Sequence, residues 1–262
     1  MEKKYKLGLV LSGGGTRGIA HAGVLKFLNE KNIKPDIMAT CSAGSIVGSL
    51  YAIGKTPEEI LSFFESIYFF NWRHFAFNKP GLVSSAVFTE YLEPIFQDKT
   101  IAHLNTEIKI IATELVSGKQ RIFDTSDRIV DAVIASCSIP GITTPYIVGD
   151  EMYSDGGVLN NFPADILHLD CEQMIGVYVN PTQHVEISDL NSIAAITTRA
   201  YELLSHRSEV PKFLFCDWMI TSAKLSDYGL FERKANRLQE IFEIGYQMAK
   251  NTFEDSVFNL EK

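Results

Sequence analysis

The chain has 262 residues, is 46% hydrophobic and carries a formal net charge of −8 at pH 7. That is enough apolar sequence for a sizeable core, and the acidic balance excludes the clustered Lys and Arg that a nucleic acid partner needs. The four cysteines, Cys41, Cys137, Cys171 and Cys216, form no CxxC pair, so no zinc motif is read and a reduced, cytoplasmic protein is expected.

Lys6 to Leu11 is a short apolar run and reads as a buried strand. Gly13-Gly14-Gly15-Thr16-Arg17-Gly18 follows, and Ile19 to Asn29 then carries apolar residues at helical spacing. The few apolar residues ahead of the glycines are too short a run for a signal-peptide core, and no stretch approaches a membrane span. Asp36 to Thr40 is a second strand, Ser42 comes after it, and Ser45 to Ile53 is a second helix. Thr56-Pro57-Glu58-Glu59 is a helix start: Thr caps, Pro takes the first position and Glu suits the positive end. The aromatic run from Phe63 to Phe77 is read as core packing in its first half; for Phe69 to Phe77 an apolar lip for an acyl chain or membrane stays open.

Further on, Thr89 to Phe96 is expected to be a helix capped at or just before Thr89, Ile108 to Thr113 a strand, and Lys119 to Asp124 its hairpin partner. Arg128 to Ser136 is a helix that Ile139-Pro140-Gly141 breaks. Tyr146 to Val148 and Met152 to Ser154 form a hairpin, and Asp155-Gly156-Gly157 follows at once. Pro163 opens a helix, Met174 to Val179 is a buried strand, Ser192 to His206 an amphipathic helix, Phe213 to Ile220 a strand and Leu230 to Phe253 the closing helix. No repeat or linker divides the chain, so one α/β domain over residues 1–262 is expected.

Gly13, Gly15 and Gly18 satisfy GxGxxG between a strand and a helix, which raises a dinucleotide reading. Asp36 lies at about the right distance for a ribose contact, but at the start of the second strand, on the wrong edge of the sheet; the end of that strand holds Ser42. The loop lacks GK[ST], so it is not a P-loop. The remaining reading is an oxyanion hole. Consecutive glycines turn their N–H groups into one concavity, where they stabilise the charged oxygen of an acyl-transfer intermediate.

Thr40-Cys41-Ser42-Ala43-Gly44 nearly matches G-x-S-x-G, the bend that exposes a nucleophilic serine between a strand and a helix. Such a serine needs a base. None of the six histidines stands in a turn after a strand, and His21 lies inside the first helix. Asp155 follows a strand and is held by Gly156-Gly157; a partly desolvated carboxylate there serves as base, against the plainer reading of Asp-Gly as a turn. Cys41 is a rival nucleophile, though only the central residue of the bend projects into a site.

GGGTRG, the serine bend and DGG, in that order and with SIPG before the aspartate, resemble the patatin-like phospholipase family from Lys6 to the closing helix. The resemblance implies a three-layer α/β/α fold with a mainly parallel central sheet. It implies a Ser–Asp dyad of Ser42 and Asp155, an oxyanion loop of Gly13, Gly14, Gly15, Thr16, Arg17 and Gly18, and a role for Arg17 either in attracting a phosphate or, the favoured reading, in anchoring that loop. Thr40, Cys41, Ala43, Gly44, Gly156 and Gly157 would then support the bend and the aspartate. The activity implied is hydrolysis of lipid acyl esters without metal or cofactor, with a lipid or ester substrate and transient contact with a membrane surface. The departure is Thr40, where the family pattern has Gly; its β-branched side chain is expected to crowd the bend against the following helix. A catalytically weak lipid-binding protein on the same fold is the alternative, and the oligomeric state is open.

Overall fold

The computed structural model describes residues 3–67, 81, 83–85, 87–182, 184–254, 256 and 258. The Phe69 to Phe77 segment lies outside the described residues. The strands are β1 (Tyr5–Leu11), β2 (Ile37–Cys41), β3 (Glu107–Glu114), β4 (Lys119–Phe123), β5 (Tyr146–Val148), β6 (Glu151–Asp155), β7 (Cys171–Tyr178) and β8 (Trp218–Thr221). The helices are α1 (Ile19–Glu30), α2 (Ala43–Ala52), α3 (Pro57–Ser66), α4 (Val87–Phe96), α5 (Ile129–Ser136), α6 (Ile193–Glu209) and α7 (Ala235–Phe253). The described strands form one eight-stranded sheet in the order β5-β6-β3-β2-β1-β7-β8, with β4 also paired to β3. The pairs of β1 with β2 and β7, of β2 with β3 and of β7 with β8 are parallel, and those involving β4, β5 and β6 are antiparallel.

The central strands are buried on both faces, as parallel strands covered by helices must be. Along β1, Leu7, Leu9 and Leu11 join the larger core with α1, α2, α5 and α7, while Val10 faces a smaller core around Phe162, Met174 and Tyr178. The layer on this second face is thin. It is largely built from 3-10 turns, Ala164–Ile166 and Val210–Phe215, rather than long helices. Thr56 and Glu59 exchange both bonds of a capping box ahead of α3, with Pro57 at the first position.

Several expected elements differ. Phe213 to Ile220 is not one strand: residues Val210–Phe215 form a 3-10 turn and only Trp218–Thr221 joins the sheet. Pro211 favours the helical turn, and Phe213 is half-buried, packed edge-on against Phe162, so it needs no ladder. The closing helix starts at Ala235 rather than Leu230, because the Leu230 carbonyl is held by Thr16. Pro163 leads into a single 3-10 turn, and α4 begins at Val87, ahead of Thr89.

The topology brings two distant turns together at β3. Along β3, β2 and β4 overlap at Ile110 and Ile111, so they occupy opposite edges; β4 and β6 overlap from Ala112 to Glu114, so β6 lies on the edge of β2. On that shared edge Cys41 ends β2 opposite Ile111, and Asp155 ends β6 opposite Ala112. The two strands meet end to end, and the residues that follow each must turn off at the same point.

Candidate active site

Ser42 is the residue at which the chain leaves β2 for α2. It adopts φ 49°, ψ −124°, a conformation that non-glycine residues rarely take and that marks stored strain. The bend holds because its surroundings fix it: Ser42 N–H donates to Ser136 Oγ at 2.8 Å, and Ser136 Oγ donates to the Ile111 carbonyl at 2.7 Å. Gly44 allows α2 to touch β1, since a Cβ there would lie 2.4 Å from the Leu11 carbonyl oxygen. Ala43 packs against Gly18, where a Cβ would come within 2.5 Å of the Ala43 methyl. Because α2 starts one residue after Ser42, its positive end lies at the hydroxyl.

Ser42 Oγ donates to Asp155 Oδ2 at 2.5 Å. The other carboxylate oxygen of Asp155 accepts Gly157 N–H at 2.7 Å, and its backbone is tied to Ser138 and Thr113. Gly156 passes so close to β3 that a Cβ would meet the Ile111 carbonyl at 2.3 Å. Asp155 is 4% exposed, and this burial raises its pKa from 3.8 to about 6, against the bonds from Ser42, Gly157 and Cys41 that favour the charged form. Cys41 is fully buried, with Sγ 3.8 Å from Asp155 Oδ1; burial, then the nearby carboxylate, push its thiol well above the usual range. A thiol held that way is protonated at neutral pH and a poor nucleophile. His21 is buried against the Ser12 carbonyl at 2.8 Å, and burial lowers it to about 4.

The glycine loop divides its work. Gly13 N–H donates to Asn161, Thr16 N–H to Leu230 and Arg17 N–H to Gly14. The loop was expected to offer a run of free donors; these three amides are instead committed to holding it in place. Among the described residues, the Gly14 and Gly15 amides have no protein acceptor, and both residues line a cleft with Ser42 and Asp155. Gly15 has φ +57° and a Cβ there would meet the Leu230 oxygen at 2.4 Å. Arg17 is buried. Its Nε donates to the Tyr228 carbonyl at 2.7 Å and its Nη1 to Asn180 Oδ1 at 2.8 Å, so it ties the loop to two other segments. Gly18 closes the 3-10 turn and leads into α1.

Thr40 does not crowd the bend as expected. Its methyl points at α2 where Gly48 stands, and a Cβ on Gly48 would come within 2.9 Å of it. Asp36 accepts Lys6 and Leu7 N–H at the far end of β1, away from the glycine loop, so it is engaged in the fold.

Two arms of a cleft meet at Ser42. One is lined by Ile46, Phe64, Val83, Phe88, Ile139 and Ile142. The other adds Asp155, Asn161, Asn180, Tyr201 and Glu202 to Ser42. Among the described residues, no group of three His, Cys, Asp or Glu is placed to hold a metal ion. Sequence reading missed Ser136, Asn161 and the Asn180 partner of Arg17. Ser136 sits in an ordinary apolar helix, and Asn161 carries only its closeness to the DGG turn as a signal.

The family model described as patatin-like phospholipase matches residues 9–168, more than half of the chain. This chain belongs to the patatin-like phospholipase family. A patatin-like phospholipase domain-containing protein of Caenorhabditis elegans is 32% identical over 171 residues, covering 62% of this chain and 12% of that protein. The human patatin-like phospholipase domain-containing protein 6 is 25% identical over 284 residues, covering 94% of this chain and 20% of its own length. The chain thus spans a fifth or less of these two relatives. VipD from Legionella pneumophila has a similar fold, with TM-score 0.62 at 13% identity, covering 97% of this chain and 67% of that one. No helix among the described residues is long and apolar enough to cross a membrane.

Proposed function

We propose that the chain is a serine hydrolase of lipid acyl esters, with Ser42 as nucleophile and Asp155 as base. The observation that carries this is the 2.5 Å contact between the Ser42 hydroxyl and a carboxylate whose pKa burial has raised. Ser42 Oγ attacks the ester carbonyl while its proton passes to Asp155. The carbonyl oxygen gains the negative charge and is held by the Gly14 and Gly15 amides beside the positive end of α2. Collapse expels the alcohol, which takes the proton from Asp155. Water, deprotonated by Asp155, then attacks the acyl-serine, and the acid leaves as the proton returns to Ser42. The apolar arm suits an acyl chain and the polar arm the alcohol part of the ester.

The proposal extends to a transient contact with a lipid surface. α6 contributes Tyr201 and Glu202 to the polar arm while turning Ile193, Ile196, Leu203 and Leu204 to solvent, so an apolar stripe flanks the cleft through which an amphiphile would arrive. The described cysteines are unpaired, which suits a reducing compartment such as the cytosol.

A fluorophosphonate probe should label the wild-type chain at Ser42, and Ser42→Ala should lose both labelling and hydrolysis of a p-nitrophenyl ester while unfolding at a similar temperature. Labelling that survives in Ser42→Ala and is lost in Cys41→Ala would move the nucleophile to the thiol. An unlabelled, well-folded wild type that binds fatty acid would instead be a lipid-binding protein.

A further inference from the structure

Glu209, at the end of α6, is fully buried, and a buried carboxylate is costly unless every acceptor site is used. Here they are. Oε1 accepts Asn161 N–H at 3.0 Å, with Ser208 Oγ 3.0 Å away sharing its one proton between Oε1 and the Ser205 carbonyl; Oε2 accepts Phe162 N–H at 3.0 Å and Lys212 Nζ at 2.7 Å. Lys212 also donates to Asn160 Oδ1 at 2.7 Å, so one ion pair grips three consecutive residues of the segment that follows the DGG turn.

The middle residue of that grip reaches the site. The Asn161 carbonyl accepts Gly13 N–H at 3.0 Å, and this is the bond that sets the direction of the glycine run. The Asn161 side chain is wedged between the two loops: a Cβ on Gly13 would lie 2.2 Å from its Oδ1, and a Cβ on Gly157 2.8 Å from it. It lines the polar arm beside Ser42 and Asp155.

We propose that Glu209 is a positioning residue for the reaction: its carboxylate, clamped by Lys212, holds the Asn160–Phe162 segment so that Asn161 registers the oxyanion loop against Asp155. The effect acts through Asn161 and Gly13. It falls on the transition state more than on acyl binding, because neither Asn161 nor Gly13 lines the apolar arm, whereas the oxyanion that the loop holds exists only during reaction. This rests on the hydrolase reading above.

The test compares Glu209→Gln with Glu209→Gln/Lys212→Met. Glutamine keeps the shape but offers one acceptor oxygen for two backbone N–H groups, and it strands the Lys212 charge; methionine removes that charge. Expected in Glu209→Gln are a kcat lower by about tenfold or more, KM on a short p-nitrophenyl ester within about twofold, a lowered Tm, and faster hydrogen exchange at the Gly13, Asn161 and Phe162 amides. In the double variant Tm should recover while kcat stays low. If kcat recovers in step with Tm, or if Glu209→Gln keeps full kcat, Glu209 is only structural and the inference falls. If the wild type hydrolyses no ester, the hydrolase reading fails by itself, and unchanged exchange at Gly13 in Glu209→Gln separately overturns the clamp.

Discussion

At the residue scale, Asp155 joins two roles that pull against each other. Burial makes it a better proton acceptor and also makes its charge expensive. Raising the pKa from 3.8 to about 6 means that the fold favours the neutral acid. The stability this group contributes is fully present below pH 3.8 and is lost as the pH rises through about 6, a loss of about 3 kcal/mol above that. The proposed reaction needs the opposite state, since only the carboxylate can take the serine proton. The log of kcat/KM for a soluble ester should therefore rise with pH and level off, with the bend near pH 6. Asp155→Asn should be inactive, yet it should raise Tm at pH 8, with the gain shrinking toward pH 4. An activity profile flat from pH 5 to 8, with Asp155→Asn destabilised at pH 8, would mean that the carboxylate is a structural cap and not a base.

At the element scale, the strand-to-helix bend at Ser42 depends on how closely α2 lies on the sheet. Thr40 and Gly48 set that distance together: one element supplies the bulk and the other leaves the space. Gly48→Ala places a methyl 2.9 Å from Thr40 Cγ2 and 3.1 Å from Ile108 Cδ1, an overpacking that should cost about 1–3 kcal/mol. In Thr40→Gly/Gly48→Ala most of that loss should disappear, with a coupling of about 1 kcal/mol or more in a urea-denaturation cycle. Strictly additive losses would show that the two do not set the bend. Local pattern makes Thr40 look as if it crowds the bend and hides the room left for its methyl, because Gly48 stands on the helix like any small residue. What was legible follows the same line. Buried strands, capped helices and glycine turns are written in local pattern, and the family motifs add the roles proposed for Ser42 and Asp155. The meeting of β2 and β6 on one edge of β3 is a matter of register, which no local pattern carries. The Phe213 to Ile220 run failed for a related reason: a short apolar stretch reads alike as strand or as turn until a partner such as Phe162 is known.

At the scale of the whole molecule, the two arms and α6 together set the direction from which substrate would come. α6 is a helix with two working sides. Its inner side carries Tyr201, Glu202, Ser205 and Glu209 toward the site, and its outer side leaves Ile193 86% and Leu204 71% exposed. Such a stripe is costly in water and favourable against acyl chains, and each buried side chain contributes roughly 1.5–3 kcal/mol on transfer. The outward side chains should therefore matter only where substrate is packed in a lipid surface. Leu204→Asp should lower the rate on phosphatidylcholine vesicles by about tenfold relative to its rate on a monomeric p-nitrophenyl ester, and should weaken sedimentation with those vesicles. A charge-conserving control, Arg207→Lys, should leave the ratio unchanged. If Leu204→Asp slows both substrates equally, α6 acts on the cleft itself; if it slows neither, the lipid surface meets the protein elsewhere.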